Sequence, residues 1–308
     1  MRLLVTGGAG SLGSNLIEHL ADRCDEILVI DNFATGKREA LLPRPDLTVV
    51  EGSVTDAGLV RRIFEAFGPS HVVHSAASYK DPNDWTTDSE VNILGTINVV
   101  RSCEAVGVRR LVNFQTALCY GRPTRVPIPV DHPTAPFTSY GISKTAGEAF
   151  VRASDTPWVS LRLANVTGPR LAIGPIPTFY KRLKTDEPCT VSTTVRDFLD
   201  MSDFLSLMDV ILETSTRGVF NVSTGRGHTI EEIFRVVAEH VGRATAEPAT
   251  VNPPGPDDVP AVVLDPSSTV ETFGWRAAVD FRETVGRLLA WYDVHGVTDI
   301  YSHLKETE

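Results

Sequence analysis

An apolar run, Arg2-Leu3-Leu4-Val5, breaks into Thr6-Gly7-Gly8-Ala9-Gly10-Ser11-Leu12-Gly13. Residues 12–21 then carry apolar side chains at helical spacing. The glycines satisfy GxGxxG with Gly8, Gly10 and Gly13, and GxxGxxG with Gly7, Gly10 and Gly13. A strand that turns this sharply into a helix gathers backbone N–H groups and the positive end of a helix dipole, where a pyrophosphate can approach closely. A glycine turn alone often serves only the backbone. Here a second apolar run, Glu26-Ile27-Leu28-Val29-Ile30, follows and ends in Asp31-Asn32, about 20 residues beyond the turn. A carboxylate there accepts hydrogen bonds from an adenosine ribose and repels a 2′-phosphate, which implies NAD rather than NADP.

The alternation continues. Residues 47–50, 71–74 and 111–115 read as buried strands, with helical segments at 57–67 and 88–106. Strands separated by helices of this length predict βαβ units, and continuous apolar runs suit parallel strands covered on both faces. After residue 165 the pattern changes. Residues 168–177 and 252–258 are rich in Gly and Pro, with a strand at 219–222 and a helix at 229–241 between them. The expected fold is α/β: a Rossmann-type doubly wound parallel sheet with a smaller, discontinuous substrate-binding domain. The expected boundaries are 1–165 and 196–226 for the dinucleotide-binding domain, and 166–195 and 227–308 for the other.

Charge narrows the partners. The 308 residues include 39 acidic and 29 basic side chains, a net charge of −10. Nucleic acid needs clustered Lys and Arg, so it is not an expected partner. No stretch reaches the roughly 20 apolar residues that cross a bilayer. The apolar start is too short for a secretion signal. Cys24, Cys103, Cys119 and Cys189 are widely spaced, without a metal-ligand pattern. The expectation is a cytoplasmic protein with reduced thiols, no metal, and neither membrane nor nucleic acid as partner.

Tyr140-Gly141-Ile142-Ser143-Lys144 puts a phenol and an ammonium one helical turn apart. A free phenol has a pKa of about 10, and a nearby ammonium and a cationic nicotinamide would both lower it. With these residues the sequence resembles the extended short-chain dehydrogenases/reductases, in particular the NAD-dependent nucleotide-sugar epimerases and dehydratases of bacterial O-antigen clusters. The glycine turn, Asp31-Asn32, His74-Ser75-Ala76-Ala77, Asn92 with Gly95-Thr96, and residues 114–121 carry the likeness. It continues through Tyr140 and Lys144, residues 161–170, and Arg196-Asp197-Phe198 with Asp203.

The resemblance implies roles. Tyr140 would take the proton of the sugar 4-hydroxyl. Lys144 would hold the nicotinamide ribose and stabilise the phenolate. Thr116 would hydrogen-bond the sugar oxygen, as both donor and acceptor. Gly7, Gly10, Ser11, Leu12, Gly13, Asp31, Asn32, Ser53, Val54, Ala76, Ala77, Ser78 and Asn92 would line the NAD site together with Tyr140 and Lys144. Asn165, Arg170 and Arg196 would grip the diphosphate of a nucleoside-diphosphate sugar, with uridine as the expected base; arginine suits phosphate by charge and fork geometry. Helices 88–106 and 139–153 would pair across a homodimer. The implied reaction is C4 epimerisation through a transient 4-keto sugar, serving O-antigen and lipopolysaccharide synthesis.

Three positions depart from the family pattern. Ala117 and Leu118 follow Thr116 where dehydratases carry an Asp-Glu pair and decarboxylases a Glu. Ser53 replaces an Asp expected beside the adenine. The 252–258 loop lacks the arginine usual before Pro-Gly-Asp, which leaves the diphosphate to Arg196 and Arg170. The alternatives are a dehydratase, decarboxylase or 4-ketoreductase using acids from elsewhere, such as Asp81, Asp84 or Asp200, and a non-catalytic dinucleotide sensor. Retention of Thr116, Tyr140 and Lys144 together speaks against the sensor. His74 reads as structural or cofactor-lining rather than as a base. Cys119, with nothing basic adjacent in sequence, is not an expected nucleophile.

Overall fold

The computed structural model describes residues 1–255 and 258–300. In chain order the first elements are β1 (Arg2–Thr6), α1 (Ser11–His19), β2 (Glu26–Asp31), β3 (Leu47–Glu51), α2 (Ala57–Phe67) and β4 (His71–His74). Next come α3 (Trp85–Ser89), α4 (Thr96–Val106), β5 (Arg110–Thr116), α5 (Ser139–Ala153), β6 (Trp158–Leu163) and β7 (Asn165–Thr167). Then α6 (Pro175–Lys184), β8 (Thr190–Ser192), β9 (Val195–Arg196), β10 (Phe198–Asp200), α7 (Met201–Glu213) and β11 (Gly218–Val222) follow. The last are β12 (His228–Thr229), α8 (Ile230–His240), β13 (Thr250–Asn252), β14 (Ala261–Val262), α9 (Ser267–Phe273) and α10 (Phe281–His295).

Seven strands form one sheet in the order β11-β6-β5-β4-β1-β2-β3. The pairings from β3 through β2, β1, β4 and β5 to β6 are all parallel. Apolar side chains hold it: Leu4, Leu28, Val72 and Leu111 pack with Phe64 of α2 and Val99 of α4 in one buried cluster. The chain runs outward from β1 to β3, then crosses back to β4 on the other side of β1. Ligands of such sheets bind at this reversal, outside the carboxyl ends of the strands. Thr6, Asp31, His74 and Thr116 are the last residues of β1, β2, β4 and β5, so the topology brings them to one edge.

The helix expected over 88–106 is not a single helix. Glu90–Gly95 forms a π-helical segment between α3 and α4. The wide turn leaves the Asn92 carbonyl to accept from Thr96 Oγ1 at 2.7 Å, and π-turns of this kind concentrate at functional sites.

The chain divides into two compact units. The first is Met1–Gly121, Thr134–Leu163 and Leu205–Phe220; the second is Arg122–Pro133, Ala164–Phe204 and the described residues from Asn221 onward. The segment expected at 196–226 is therefore shared between them. Strand pairing explains the division: β10 pairs with β7, and β9 with β12 and β14, so 195–200 is tied to second-unit strands. Ile176, Phe179, Phe234, Val237, Leu288 and Tyr292 form the second unit's core. No helix among the described residues is long and apolar enough to cross a membrane.

Candidate active site

The turn after β1 is held by contact. Gly7 has φ +69°, and a Cβ there would stand 2.6 Å from the backbone nitrogen of Ala76. Gly10 differs. Its φ is −73°, open to any residue, and a Cβ would meet only the Gly7 carbonyl oxygen, at 3.4 Å. Neither backbone nor packing demands glycine at this position, the N-cap of α1, where no side chain caps the helix. A ligand that comes up against the backbone supplies the missing reason, and the uncapped N–H groups suit a pyrophosphate. This cradle fits the diphosphate of a dinucleotide.

Asp31 is buried and fastened on both sides. Its Oδ2 accepts from the Ala9 N–H at 2.8 Å and its Oδ1 from the Phe33 N–H at 2.8 Å. The carboxylate that would meet a ribose thus also joins the glycine turn to the loop beyond β2. The Ser53 hydroxyl accepts from Thr55 Oγ1 at 2.8 Å and closes a local turn. Val54 packs in the core beside Gly95, where a Cβ would stand 2.5 Å from its side chain.

Residues 76–78 are positioned by Asn92. Its side-chain oxygen accepts from the Ser78 N–H at 2.9 Å, and its amide donates to the Ser78 carbonyl at 2.9 Å and to Ser143 Oγ at 3.0 Å. Asn92 thus grips the loop expected to line the cofactor and ties it to α5. His74 is locked: Nδ1 meets Thr6 Oγ1 at 2.7 Å and Nε2 meets Thr96 Oγ1 at 2.9 Å. Because Thr96 donates to Asn92, it accepts from His74 Nε2–H, and Thr6 donates to Nδ1. Burial, with Lys144 adding repulsion, pushes the imidazole down to about 3. The ring is a neutral strut, not a base.

Thr116, Tyr140 and Lys144 stand on two elements joined by Gln115. The Gln115 amide donates to the Lys144 carbonyl at 2.9 Å, and its oxygen accepts from the Thr116 N–H at 2.7 Å. Thr116 Oγ1 accepts from the Leu118 N–H at 3.1 Å, leaving its own O–H to donate. Tyr140 lies in the first turn of α5, capped by the Thr138 side chain. Its ring meets that of Tyr79 edge-on, centroids 5.9 Å apart.

Electrostatics here differ from the sequence expectation. Burial raises the Tyr140 phenol above its ordinary value, and Tyr79 and Asp88 act in the same direction. The lowering expected from a nearby ammonium does not prevail over burial. Lys144 is itself desolvated: burial pushes it down to about 8, partly offset by Glu148. Glu148 is one turn further along α5 and pairs with Arg162 at 2.6 Å, both buried. Burial pushes the Cys119 thiol up to about 12, which leaves it inert.

Ala117 is buried and, with Leu118, places apolar side chains immediately after Thr116. Asp81 accepts from the Asn83 N–H, and Asp84 caps α3 through the Thr87 N–H. Asp200 accepts from Ser202 and pairs with Arg287. Asp88 had no motif to point to it. It is a buried carboxylate whose Oδ2 accepts from Ser139 Oγ at 2.7 Å, immediately before the tyrosine.

In the second unit, the Asn165 amide donates to the Asp197 carbonyl at 2.9 Å. Arg196 donates to the Val195 and Val259 carbonyls at 2.8 Å each and pairs with Asp258. A diphosphate at Arg196 would therefore compete with Asp258. Arg170 takes a left-handed backbone, φ +67°. Pro256 and Asp257 of the 252–258 loop lie outside the described residues.

The profile of the NAD dependent epimerase/dehydratase family matches residues 3–223. The chain belongs to that family. The crystal structure of the Bordetella bronchiseptica enzyme WbmG in complex with NAD and UDP is 66% identical, covers 100% of this chain and 99% of that one, and superposes with TM-score 0.94. The UDP-glucose 4-epimerase of Thermotoga maritima, solved with UDP-glucose, is 29% identical over 96% of this chain and 99% of its own, TM-score 0.87. The UDP-glucose 4-epimerase of Corynebacterium glutamicum is 32% identical over 306 residues, 89% of this chain and 90% of that protein. The family's cofactor agrees with the glycine cradle and with Asp31 at the end of β2.

Proposed function

We propose that the chain is an NAD-dependent nucleotide-sugar 4-epimerase that works through a transient 4-keto sugar, with a UDP-sugar as substrate. Ala117 and Leu118 carry the choice of reaction. Proton abstraction at C5, or loss of a C6 hydroxyl, needs an acid or base within hydrogen-bond reach, and these apolar side chains follow Thr116 where dehydratases carry acids. An epimerase needs Thr116, Tyr140 and Lys144 without them. The UDP bound by WbmG and the UDP-glucose bound by the Thermotoga epimerase support the substrate class.

When bound, NAD supplies the acceptor and the donor of the C4 hydrogen. Gly7, Gly10, Ser11, Leu12 and Gly13 receive its pyrophosphate, and Asp31 with Asn32 its adenosine ribose. Ser53 and Val54 flank the adenine, and Ala76, Ala77 and Ser78, held by Asn92, line the nicotinamide half. Tyr140 takes the O4 proton and later returns it. Thr116 donates its hydroxyl hydrogen to O4. The Lys144 ammonium holds the nicotinamide ribose and draws the phenol toward its ionised form. Asn165, Arg170 and Arg196 take the diphosphate, Arg196 exchanging Asp258 for it.

Our reading extends to a cytoplasmic homodimer that supplies a sugar donor for O-antigen polysaccharide. Leu94, Ile142 and Phe150, exposed by 54%, 50% and 45% on the π-segment and α5, support the dimer. Light scattering should give twice the chain mass, and Leu94→Glu with Phe150→Glu should halve it.

Product analysis tests the reaction. A panel of UDP-sugars in deuterated water should yield a product of substrate mass, inverted at C4 and without deuterium at C5. A product lighter by water or carbon dioxide would assign the chain to the alternative chemistry.

A further inference from the structure

Asp88 has no part in the reaction described above, yet it lies beside it. It sits in α3, the five-residue helix before the π-segment, and is 1% exposed. A carboxylate is among the groups least often buried this fully without an ionic partner. No cation pairs with it among the described residues. Ser139 Oγ donates to its Oδ2 at 2.7 Å, and Oδ1 is buried without a hydrogen-bond partner. Burial raises its proton affinity and the hydroxyls of Ser139 and Ser78 lower it, while Asp84 and Asp81 add repulsion.

These contacts join two parts of the site. Ser139 is the first residue of α5, directly before Tyr140. Ser78 closes the loop that Asn92 holds through its main chain. We propose that Asp88 is a positioning residue of the reaction: its carboxylate ties the head of the catalytic helix beside the cofactor loop, and its fixed negative charge acts on Tyr140.

The charge acts on Tyr140 in the same direction as burial, which is the larger cause. A base that keeps the O4 proton between the two half-reactions must hold it firmly enough to prevent its loss to solvent. A negative charge near the phenol favours the protonated form. Lys144, one turn on, acts in the opposite sense when charged. Asp88 and Tyr79 thus favour the phenol, while a charged Lys144 drawn close to it would favour the phenolate. Lys144 in turn faces His74, which is neutral, and Glu148. Removing Asp88 tips this balance toward the phenolate.

The proposal rests on Tyr140 being the base, and the test separates the two ideas. Asp88→Asn keeps an oxygen for Ser139 and removes the charge. With Tyr140 as the base, the holoenzyme's turnover should rise with pH as Tyr140 ionises. In D88N the midpoint of that rise should fall by about half a unit or more, with bound NAD unchanged. Asp88→Ser also removes the charge, with a smaller neutral side chain, so it should move the midpoint the same way. It serves alone if D88N does not fold. A lower rate with an unmoved midpoint in either variant would overturn the role of Asp88. Full activity in Tyr140→Phe would instead overturn the assignment of the base, whatever D88N does.

Discussion

The side-chain amide of Gln115 donates to the backbone carbonyl of Lys144 at 2.9 Å, across 29 residues of sequence. The same side chain accepts from the Thr116 N–H at 2.7 Å, so one amide sets the end of β5 against the second turn of α5. The Lys144 carbonyl already serves the helix, and Gln115 uses its second lone pair. Thr116 and Tyr140 are therefore held in register by a residue that touches neither proton nor sugar.

Gln115→Ala should lower kcat by roughly 10- to 100-fold, the usual effect of displacing reacting groups by a fraction of an ångström to an ångström. NAD content should stay near that of the wild type, because no part of the glycine cradle or Asp31 changes. The Thr116 N–H loses its partner, at about 1–3 kcal/mol of stability. Steady-state kinetics beside a denaturant melt would show both effects; an unchanged kcat would refute the register role.

Tyr140→Phe removes the one hydroxyl assigned to proton transfer. Turnover should fall by about 10²- to 10⁴-fold, the usual worth of a positioned acid–base group. The half-buried ring and its edge contact with Tyr79 remain, so the fold should keep its melting temperature. A phenylalanine variant that epimerises at the parent rate would remove Tyr140 from the mechanism.

Most of the sheet was legible because long, strongly patterned elements carry their own signal. The helix 57–67 and the strand 71–74 match α2 and β4 residue for residue. The second unit was less legible. Its strands β9, β12 and β14 are two residues long, too short for any periodicity, and they exist only through their partners. The π-segment escaped because its apolar residues fit an α-helix equally well; only the Asn92 contacts with Ser78 explain it. Thr116, Tyr140, Lys144 and the glycines could be read from motifs. Gln115 and Asp88 could not, since a bridge between distant residues leaves no spacing. Gln115 left a chemical signal, a glutamine inside a mostly apolar strand, whereas Asp88 stands among Thr86, Thr87, Ser89 and Glu90 and left none.

Gly10→Ala isolates the cradle. The chain has room for the methyl and the backbone angle is ordinary, so the variant should fold with unchanged stability. Its methyl would occupy the space in front of α1 that the pyrophosphate needs. The expected outcome is loss of NAD from the purified protein, with a dissociation constant raised about 100-fold or more, equivalent to roughly 3 kcal/mol. Gly7→Ala, by contrast, should unfold or aggregate, since its Cβ would stand 2.6 Å from Ala76. Equal NAD content in G10A and wild type would show that the open space serves something else.

Lys144 links the chemistry to stability. It is 4% exposed, and burial holds its pKa at about 8 against an ordinary 10.5. In the folded protein without dinucleotide the charged form is therefore disfavoured, by about 3 kcal/mol. The sign follows from proton counting. Between pH 8 and 10.5 the unfolded chain keeps a proton that the folded chain has lost, so stability rises with pH across that window. Below about pH 8 the penalty is present in full. Lys144→Met has a similar volume and no charge to desolvate. It should abolish turnover, yet make the NAD-free protein more stable than wild type at pH 7, by up to about 3 kcal/mol. The gap should shrink as pH rises through that window and close above it. Denaturant melts of both proteins from pH 7 to 11 measure this directly. If K144M is the less stable protein at pH 7, the ammonium has a partner in the folded state that outweighs its burial.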